Sequence, residues 1–237
     1  MRLYPFFCTM KLLIDYLSAL VTQERMQVLE RVSQNRTRHL TVVLEDIFQP
    51  QNASAVLRTC DCFGIQDVHI VENTNEYNIN PDVVLGASQW LSIYNYNTQK
   101  ENTSTALQAL KSEGYRIVAT SPHAEERSLE KFDVTAQKTA LVFGTELTGI
   151  SETVNEYADD FLKIPMFGFT ESFNISVSAA LILQQLVSQL RDSDIDWRLP
   201  NDEREALLVD WLLKTVKHSD KVLRRFYKEH PDFTPLT

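Results

Sequence analysis

Ile164-Pro-Met-Phe-Gly-Phe-Thr-Glu-Ser-Phe-Asn-Ile-Ser-Val-Ser-Ala-Ala-Leu-Ile-Leu-Gln-Gln-Leu186 is the stretch on which the reading of this chain turns. It continues a short apolar run from Phe161, turns through Pro165 and Gly168, and takes on helical apolar spacing from about Ser172 to Leu190. Ile175, Val177, Ala179, Leu181, Ile182, Leu183, Leu186 and Val187 cover most of the circumference, which predicts a buried helix. Polar residues stand at its mouth, Ser172 and Asn174 in front and Ser176 and Ser178 behind. Polar groups buried at a helix start need partners. Either Ser172 or Asn174 caps the helix, a role both residue types favour, or the group receives a ligand.

Outward from this stretch the pattern alternates. Thr41 to Glu45, Val68 to Val71, Ser92 to Tyr96, Tyr115 to Thr120, Thr139 to Phe143 and the run near Phe161 read as strands. Between them, helices are predicted from about Asn52 to Phe63 and from Thr103 to Glu113, the latter stopped by Gly114. Such alternation predicts an α/β fold, a mostly parallel sheet with helices on both faces. An amphipathic helix from Met10 to about Val32 precedes this core, and a polar linker, Asp192 to Pro200, leads to a last helix from about Asp202 to Glu229. The divisions expected are 1–9, outside the fold with Met10 an alternative start; 10–39, a helical extension; 40–191, the α/β domain; and 192–237, linker and basic helix.

Composition narrows the classes. No apolar run of the 237 residues reaches the roughly 18 residues that a membrane span needs, and Lys11 and Asp15 interrupt the candidate near the N-terminus, which disfavours a secretory signal. Cys8, Cys60 and Cys62 are an odd set; the last two diverge by about 200° on a helix and do not chelate one metal. They read as reduced, mostly core cysteines of a cytoplasmic protein. The net charge of -9 argues against a general basic coat. Two local clusters oppose that sign: Arg25, Arg31, Arg36, Arg38 and His39, and Lys214, Lys217, Lys221, Arg224, Arg225 and Lys228. Each reads as a solvated helix face or as a phosphate-tracking stripe.

In a parallel sheet, ligands bind beyond the carboxyl ends of the strands, so the loops after Leu44, Phe143 and Ile164 carry the functional information. Of six glycines, Gly64, Gly144, Gly149 and Gly168 fall in or beside them. The first loop holds Asn52, a natural helix N-cap, and Arg58, the one cation among Ala53, Ala55, Val56, Leu57, Cys60 and Phe63. If buried, that guanidinium needs a carboxylate or phosphate; Asp61 at i+3 is the local alternative. The second loop, Phe143-Gly-Thr-Glu-Leu-Thr-Gly149, has neither the lysine nor the glycine spacing of a P-loop, and no G-x-G-x-x-G occurs. Glu146 there is a solvated carboxylate, a cap for the next helix, or a site residue.

Together, Asn52 and Arg58, the 143–149 loop and the 164–180 segment closely resemble the three motifs of the SPOUT-superfamily RNA 2'-O-methyltransferases, above all the TrmH branch, over roughly residues 40 to 190. That resemblance implies an α/β sheet with a C-terminal trefoil knot, flanked by N- and C-terminal helices. It further implies S-adenosyl-L-methionine as cofactor, S-adenosyl-L-homocysteine as product, no metal, and a homodimer with the site at its interface.

By the same match, Arg58, Asn52, Glu146, Ser172 and Asn174 serve catalysis or RNA phosphate binding. Thr120, Phe143, Gly144, Thr145, Glu146, Gly149, Ile164, Met166, Ser172, Phe173 and Ala179 line the cofactor pocket. The flanking helices resemble the tRNA-gripping extensions of the guanosine-18 enzymes, which assigns RNA contact to Arg25, Arg31, Arg36, Arg38, Lys214, Lys217, Lys221, Arg224 and Arg225. Guanosine 18 of the tRNA D-loop is the expected target, with ribosomal RNA second and a non-catalytic knotted RNA-binding protein as the rival class. Arg58 is either the general base or the donor beside a phosphate that takes the proton, since a guanidinium ordinarily stays protonated.

Overall fold

The structure, a computed structural model, describes the backbone of residues 4–78, 80–121, 127–145, 148–231 and 233, and the side chains of these except 4–9 and 127. The chain opens with helices α1 (Tyr4–Ser18) and α2 (Gln23–Ser33). The single helix expected from Met10 is thus two, because Thr22 starts a new one: its hydroxyl accepts from the Arg25 amide at 3.2 Å. Residues 4–9, expected outside the fold, carry helical backbone.

Next comes the α/β core: β1 (Leu40–Glu45), α3 (Pro50–Phe63), β2 (Asp67–Val71), α4 (Pro81–Val84), β3 (Ser92–Tyr96), α5 (Thr103–Ser112), β4 (Arg116–Thr120), β5 (Arg127–Ser128), β6 (Thr139–Phe143), α6 (Glu152–Tyr157), β7 (Asp160–Lys163) and α7 (Ile175–Arg191). Helices α8 (Asn201–Thr215) and α9 (Ser219–Glu229) follow. The expected helix 202–229 is broken at 216–218, where His218 takes a left-handed conformation, φ 56°. Two compact units result, Met1–Arg36 with Arg198–Thr237, and Thr37–Trp197; the expected divisions at 39/40 and 191/192 fall a few residues away.

In the α/β unit the described strands form one sheet in the order β3-β2-β1-β6-β4-β7-β5, with parallel pairings throughout. Alternation sorts the side chains onto two faces. Val42, Leu44, Val68, Val118 and Leu141 face Val56, Leu57 and Cys60 of α3 and Ile182, Leu183 and Leu186 of α7. Val43, Val71, Ile117, Ala119 and Val142 face Ala106, Leu107 and Leu110 of α5 and Val154 of α6. Both faces are covered, which explains why the strands read as continuous apolar runs.

Helix α3 begins at Pro50, where a missing amide costs nothing, and ends at Gly64 with φ 79°. Asn52 is therefore its third residue; the N-cap position belongs to Gln49. Cys60 is buried, whereas Cys62, expected with the core, is exposed. Helix α7 is not buried all round: Val177 and Leu181 are 44% and 43% exposed.

In the helical unit, Leu13, Leu17 and Leu29 are buried with Leu207, Leu208, Trp211 and Leu212 of α8. Phe226 of α9 packs on Tyr16 at 5.0 Å and Phe233 at 4.8 Å, both edge-on. Arg36 is 1% exposed, with its guanidinium 5.1 Å above the Trp211 ring. It is a packing residue of this unit, which corrects its assignment to an RNA-facing surface.

On β2, His69 is buried beneath Tyr94, whose ring stacks on it at 4.8 Å, and burial pushes its pKa down to about 4. The unfolded chain, with His near 6.5, binds this proton first. Stability from neutral His69 is therefore whole above about pH 6.5 and is lost as pH falls toward 4, by roughly 3 kcal/mol. We expect urea unfolding between about pH 7.5 and 4.5 to show a shallower acid loss in His69→Phe than in the parent; equal slopes would exclude His69 as the cause.

Candidate active site

The sheet order brings the carboxyl ends of β1, β6, β4 and β7 side by side, so the loops after Glu45, Phe143, Thr120 and Lys163 share one edge. The first and third are joined directly. The Asn174 amide nitrogen donates to Asn52 Oδ1 at 3.0 Å, across 122 residues of sequence. Asn174 also caps α7, its Oδ1 accepting from the Ser176 amide at 2.9 Å and the Ser176 hydroxyl at 2.6 Å. Asn52 in turn donates to Gln49 Oε1 at 3.2 Å. Capping and convergence are thus done by the same side chain.

The second loop is a closed ring. Thr145 and Gly149 exchange two backbone hydrogen bonds, 2.8 and 3.1 Å, and the Thr145 hydroxyl bonds Thr148 at 2.7 Å. Gly149 has φ +71°, and a methyl group on Gly144 would overlap the Gly149 carbonyl and the Ile150 nitrogen. Glycine at 144 is a requirement of close backbone approach. Glu146 lies outside the described residues.

The third loop makes little use of its own backbone. Among the described residues, no hydrogen bond is made by the peptide groups of 165–172. Such groups await water or a ligand. Ser172 is exposed, Met166 is half-buried, and Ile164 packs on the core. Phe167 and Phe169 are fully exposed, at 98% and 108%. Phe48, Phe173, Val177 and Leu181 are exposed apolar residues as well, at 66%, 43%, 44% and 43%.

Other expected residues are placed differently. Arg58 lies on the exposed face of α3, and among the described residues its side chain has no hydrogen bond or ion pair. Neither burial nor pairing with Asp61 engages it. Phe143 and Ala179 are core residues, 2% and 0% exposed. The Thr120 hydroxyl donates to the Val142 carbonyl at 3.0 Å. Among the described residues no group of three His, Cys, Asp or Glu stands close enough to hold a metal ion.

Residues 39–184 match the SpoU rRNA Methylase family. This chain belongs to that family. It is 45% identical over 205 residues to a tRNA (guanosine(18)-2'-O)-methyltransferase of Borreliella burgdorferi, covering 86% of this chain and 92% of the relative. A protein of the same description from Thermus thermophilus is 35% identical over 198 residues, 81% of this chain and 98% of the relative. Among solved structures, the A. aeolicus TrmH/SpoU tRNA modifying enzyme matches with a TM-score of 0.73 at 29% identity, over 82% of this chain and 98% of that one.

Within this SpoU-family site the sequence reading passed over two carboxylates. Glu45, 2% exposed, accepts from the Ser151 hydroxyl at 2.6 Å, the Ser151 amide at 3.0 Å and the Thr103 hydroxyl at 2.8 Å. It fixes the far end of the second loop to the starts of α5 and α6, and a buried carboxylate is tolerated only with such donors. Asp46, left-handed at φ 54°, accepts from the amides of Asn73, Thr74 and Asn75 at 2.8 to 2.9 Å. A carboxylate closing an apolar strand was the available signal for both.

The ring yields a contrast. Gly144→Ala should lose about 2–3 kcal/mol of stability in urea unfolding, because the obstructing atoms are backbone. Gly168→Ala, with nothing within 4 Å of the added carbon, should stay within about 0.5 kcal/mol of the parent. Equal effects would refute the close-approach explanation.

Proposed function

We propose that the protein methylates the ribose 2'-oxygen of guanosine 18 in tRNA, using S-adenosylmethionine. The observation that carries this reading is the Asn174–Asn52 hydrogen bond, which unites the first and third motif loops at the sheet edge in a chain 45% identical to an enzyme of that description. The exposed peptide groups of 165–172 and the ring at 144–149 fit a cofactor held by backbone donors and acceptors. When bound, the sulfonium supplies an electrophilic methyl group. The chain's own task is positioning, which accounts for a large part of the rate in such transfers.

In this reading Asn52 and Asn174 orient the ribose and phosphate, and exposed Arg58 donates to the phosphate and the 2'-oxygen. A guanidinium donates and does not accept, so the hydroxyl proton leaves to the substrate phosphate. Glu146 and Ser172 remain assigned to the site by family resemblance. In the helical unit, Arg31, Lys214, Lys217, Lys221, Arg224 and Arg225 are exposed and supply a phosphate-tracking face, although Lys214 and Arg225 also pair with Asp210 and Glu229. Arg25 is half-buried, and Arg38 is committed to Asp67 at 2.8 Å, which lowers their share. A tRNA substrate locates the protein in the cytoplasm; no described helix is long and apolar enough to cross a membrane.

Two structural readings complete the proposal. The apolar surface of Phe48, Phe167, Phe169, Phe173, Val177 and Leu181 is covered by a second copy of the chain, which also brings site residues from the partner. In this reading the chain leaving β7 threads a trefoil knot, as family resemblance implies, and the position of β7 between β4 and β5 in the sheet supports it.

The test is transfer of labelled methyl from S-adenosylmethionine to unmodified tRNA, with the modified ribose mapped. Label at guanosine 18 is expected; label in ribosomal RNA fragments with tRNA untouched would reverse the substrate order, and none in either would leave the binding-protein alternative. Arg58→Ala should bind the cofactor normally and lose about a hundredfold or more in turnover at saturating RNA. Leu181→Arg should sediment as a monomer and lose transfer; an active monomer would contradict a shared site.

A further inference from the structure

Four polar side chains at the starts of α3 and α7 form a directed series. The Ser176 amide and hydroxyl both donate to Asn174 Oδ1, at 2.9 and 2.6 Å, which leaves the Asn174 nitrogen facing the other way. That nitrogen donates to Asn52 Oδ1 at 3.0 Å, and the Asn52 nitrogen donates to Gln49 Oε1 at 3.2 Å. Each bond determines the orientation of the next amide, because reversing either asparagine would oppose donor to donor or acceptor to acceptor. The series begins at the helix start and ends at Gln49, an exposed residue at the N-cap position of α3 that makes no capping bond.

We infer that Gln49 and Ser176 are positioning residues of the methyl-transfer site, which hold the amides of Asn52 and Asn174 with their nitrogens as donors toward an oxygen-rich ligand, a ribose or a phosphate. The inference rests on the proposed methyl-transfer reading for its ligand, but the relay itself belongs to the folded chain. Gln49 has no other structural duty that would require its type: it caps nothing and packs in no core. Its amide oxygen is the terminal acceptor for the Asn52 nitrogen in the observed orientation. Ser176, half-buried in the first turn of α7, does the same for Asn174 from the opposite end.

The experiment has two arms on the full chain. In the first, Gln49→Ala, Gln49→Glu and Ser176→Ala are assayed with labelled S-adenosylmethionine and tRNA. Gln49→Ala should lower kcat about fivefold to tenfold, the kinetic worth of one net hydrogen bond, with the KM for S-adenosylmethionine and the unfolding midpoint unchanged. Gln49→Glu should restore the rate, since a carboxylate still accepts from Asn52. In an Asn52→Ala background the Gln49→Ala change should add nothing. Full additivity, or failure of the glutamate to rescue, overturns the relay.

In the second arm, the side-chain amide resonances of Asn52 and Asn174 are followed by NMR with asparagine-selective labelling, without cofactor or RNA. Gln49→Ala should shift both; a shift confined to Asn52, or none, overturns the relay whether or not the protein methylates tRNA. A parent enzyme inactive on RNA with both resonances shifted would instead reject the methyl-transfer reading and keep the relay.

Discussion

The insertion of β6 between β1 and β4 is the constraint on which the rest of the site depends. Thr139 to Phe143 is the sixth strand in the chain, yet it pairs with the first, residue for residue from Leu40 with Thr139 to Leu44 with Phe143. Because every pairing is parallel, that register delivers Glu45 and Phe143 to the same edge, and β4 and β7 continue the row. Loops separated by a hundred or more residues thereby become neighbours. The Asn174–Asn52 bond is a consequence of this arrangement. A hydrogen bond of its kind contributes a net ~1 kcal/mol, far too little to bring the two loops together; what it controls is the orientation of side chains that the sheet has already assembled.

Polar groups are concentrated where the apolar sheet ends. Glu45 binds Ser151 and Thr103, Asp46 gathers three successive amides, and Asn52 meets Asn174. Glu45, Asp46 and Asn174 each accept from a backbone amide where the chain leaves regular structure. The exception is 165–172, whose peptide groups have no described partner, flanked by phenylalanines open to solvent. Exposed peptide groups and exposed rings in one segment are features that a bound molecule can use.

Much of this was legible in the sequence. Runs such as Thr41 to Glu45 and Thr139 to Phe143 mark strands covered on both faces, and alternation with helices predicts the parallel sheet, as observed. A cap at the start of α7 was legible as a choice between Ser172 and Asn174, and the structure selects Asn174. What eluded the reading depended on distant partners or on position along a helix. Asn52 looked like a cap, but Pro50 occupies the first turn and moves the start back to Gln49. Arg36 resembled its basic neighbours, and only the approach of Trp211 makes it a buried residue. Arg58 stood among apolar residues in sequence yet falls on the outer face of α3. The break at His218 carries no glycine or proline, so periodicity continued through it. Val177 and Leu181 read as core because an exposed apolar helix position has the same composition as a covered one.

The central claim is that the loops following β1, β6 and β7 form one methyl-transfer site. A crystal structure of the chain with S-adenosyl-L-homocysteine tests it most directly. The nucleoside and amino-acid parts should lie against the backbone of 144–149 and 165–172, with the sulfur directed toward the space that Asn52, Asn174 and Arg58 border. Density for the ligand elsewhere, such as at the opposite end of the sheet beside Arg116 and Asp159, or a bound state in which Asn52 and Asn174 are parted, would contradict it.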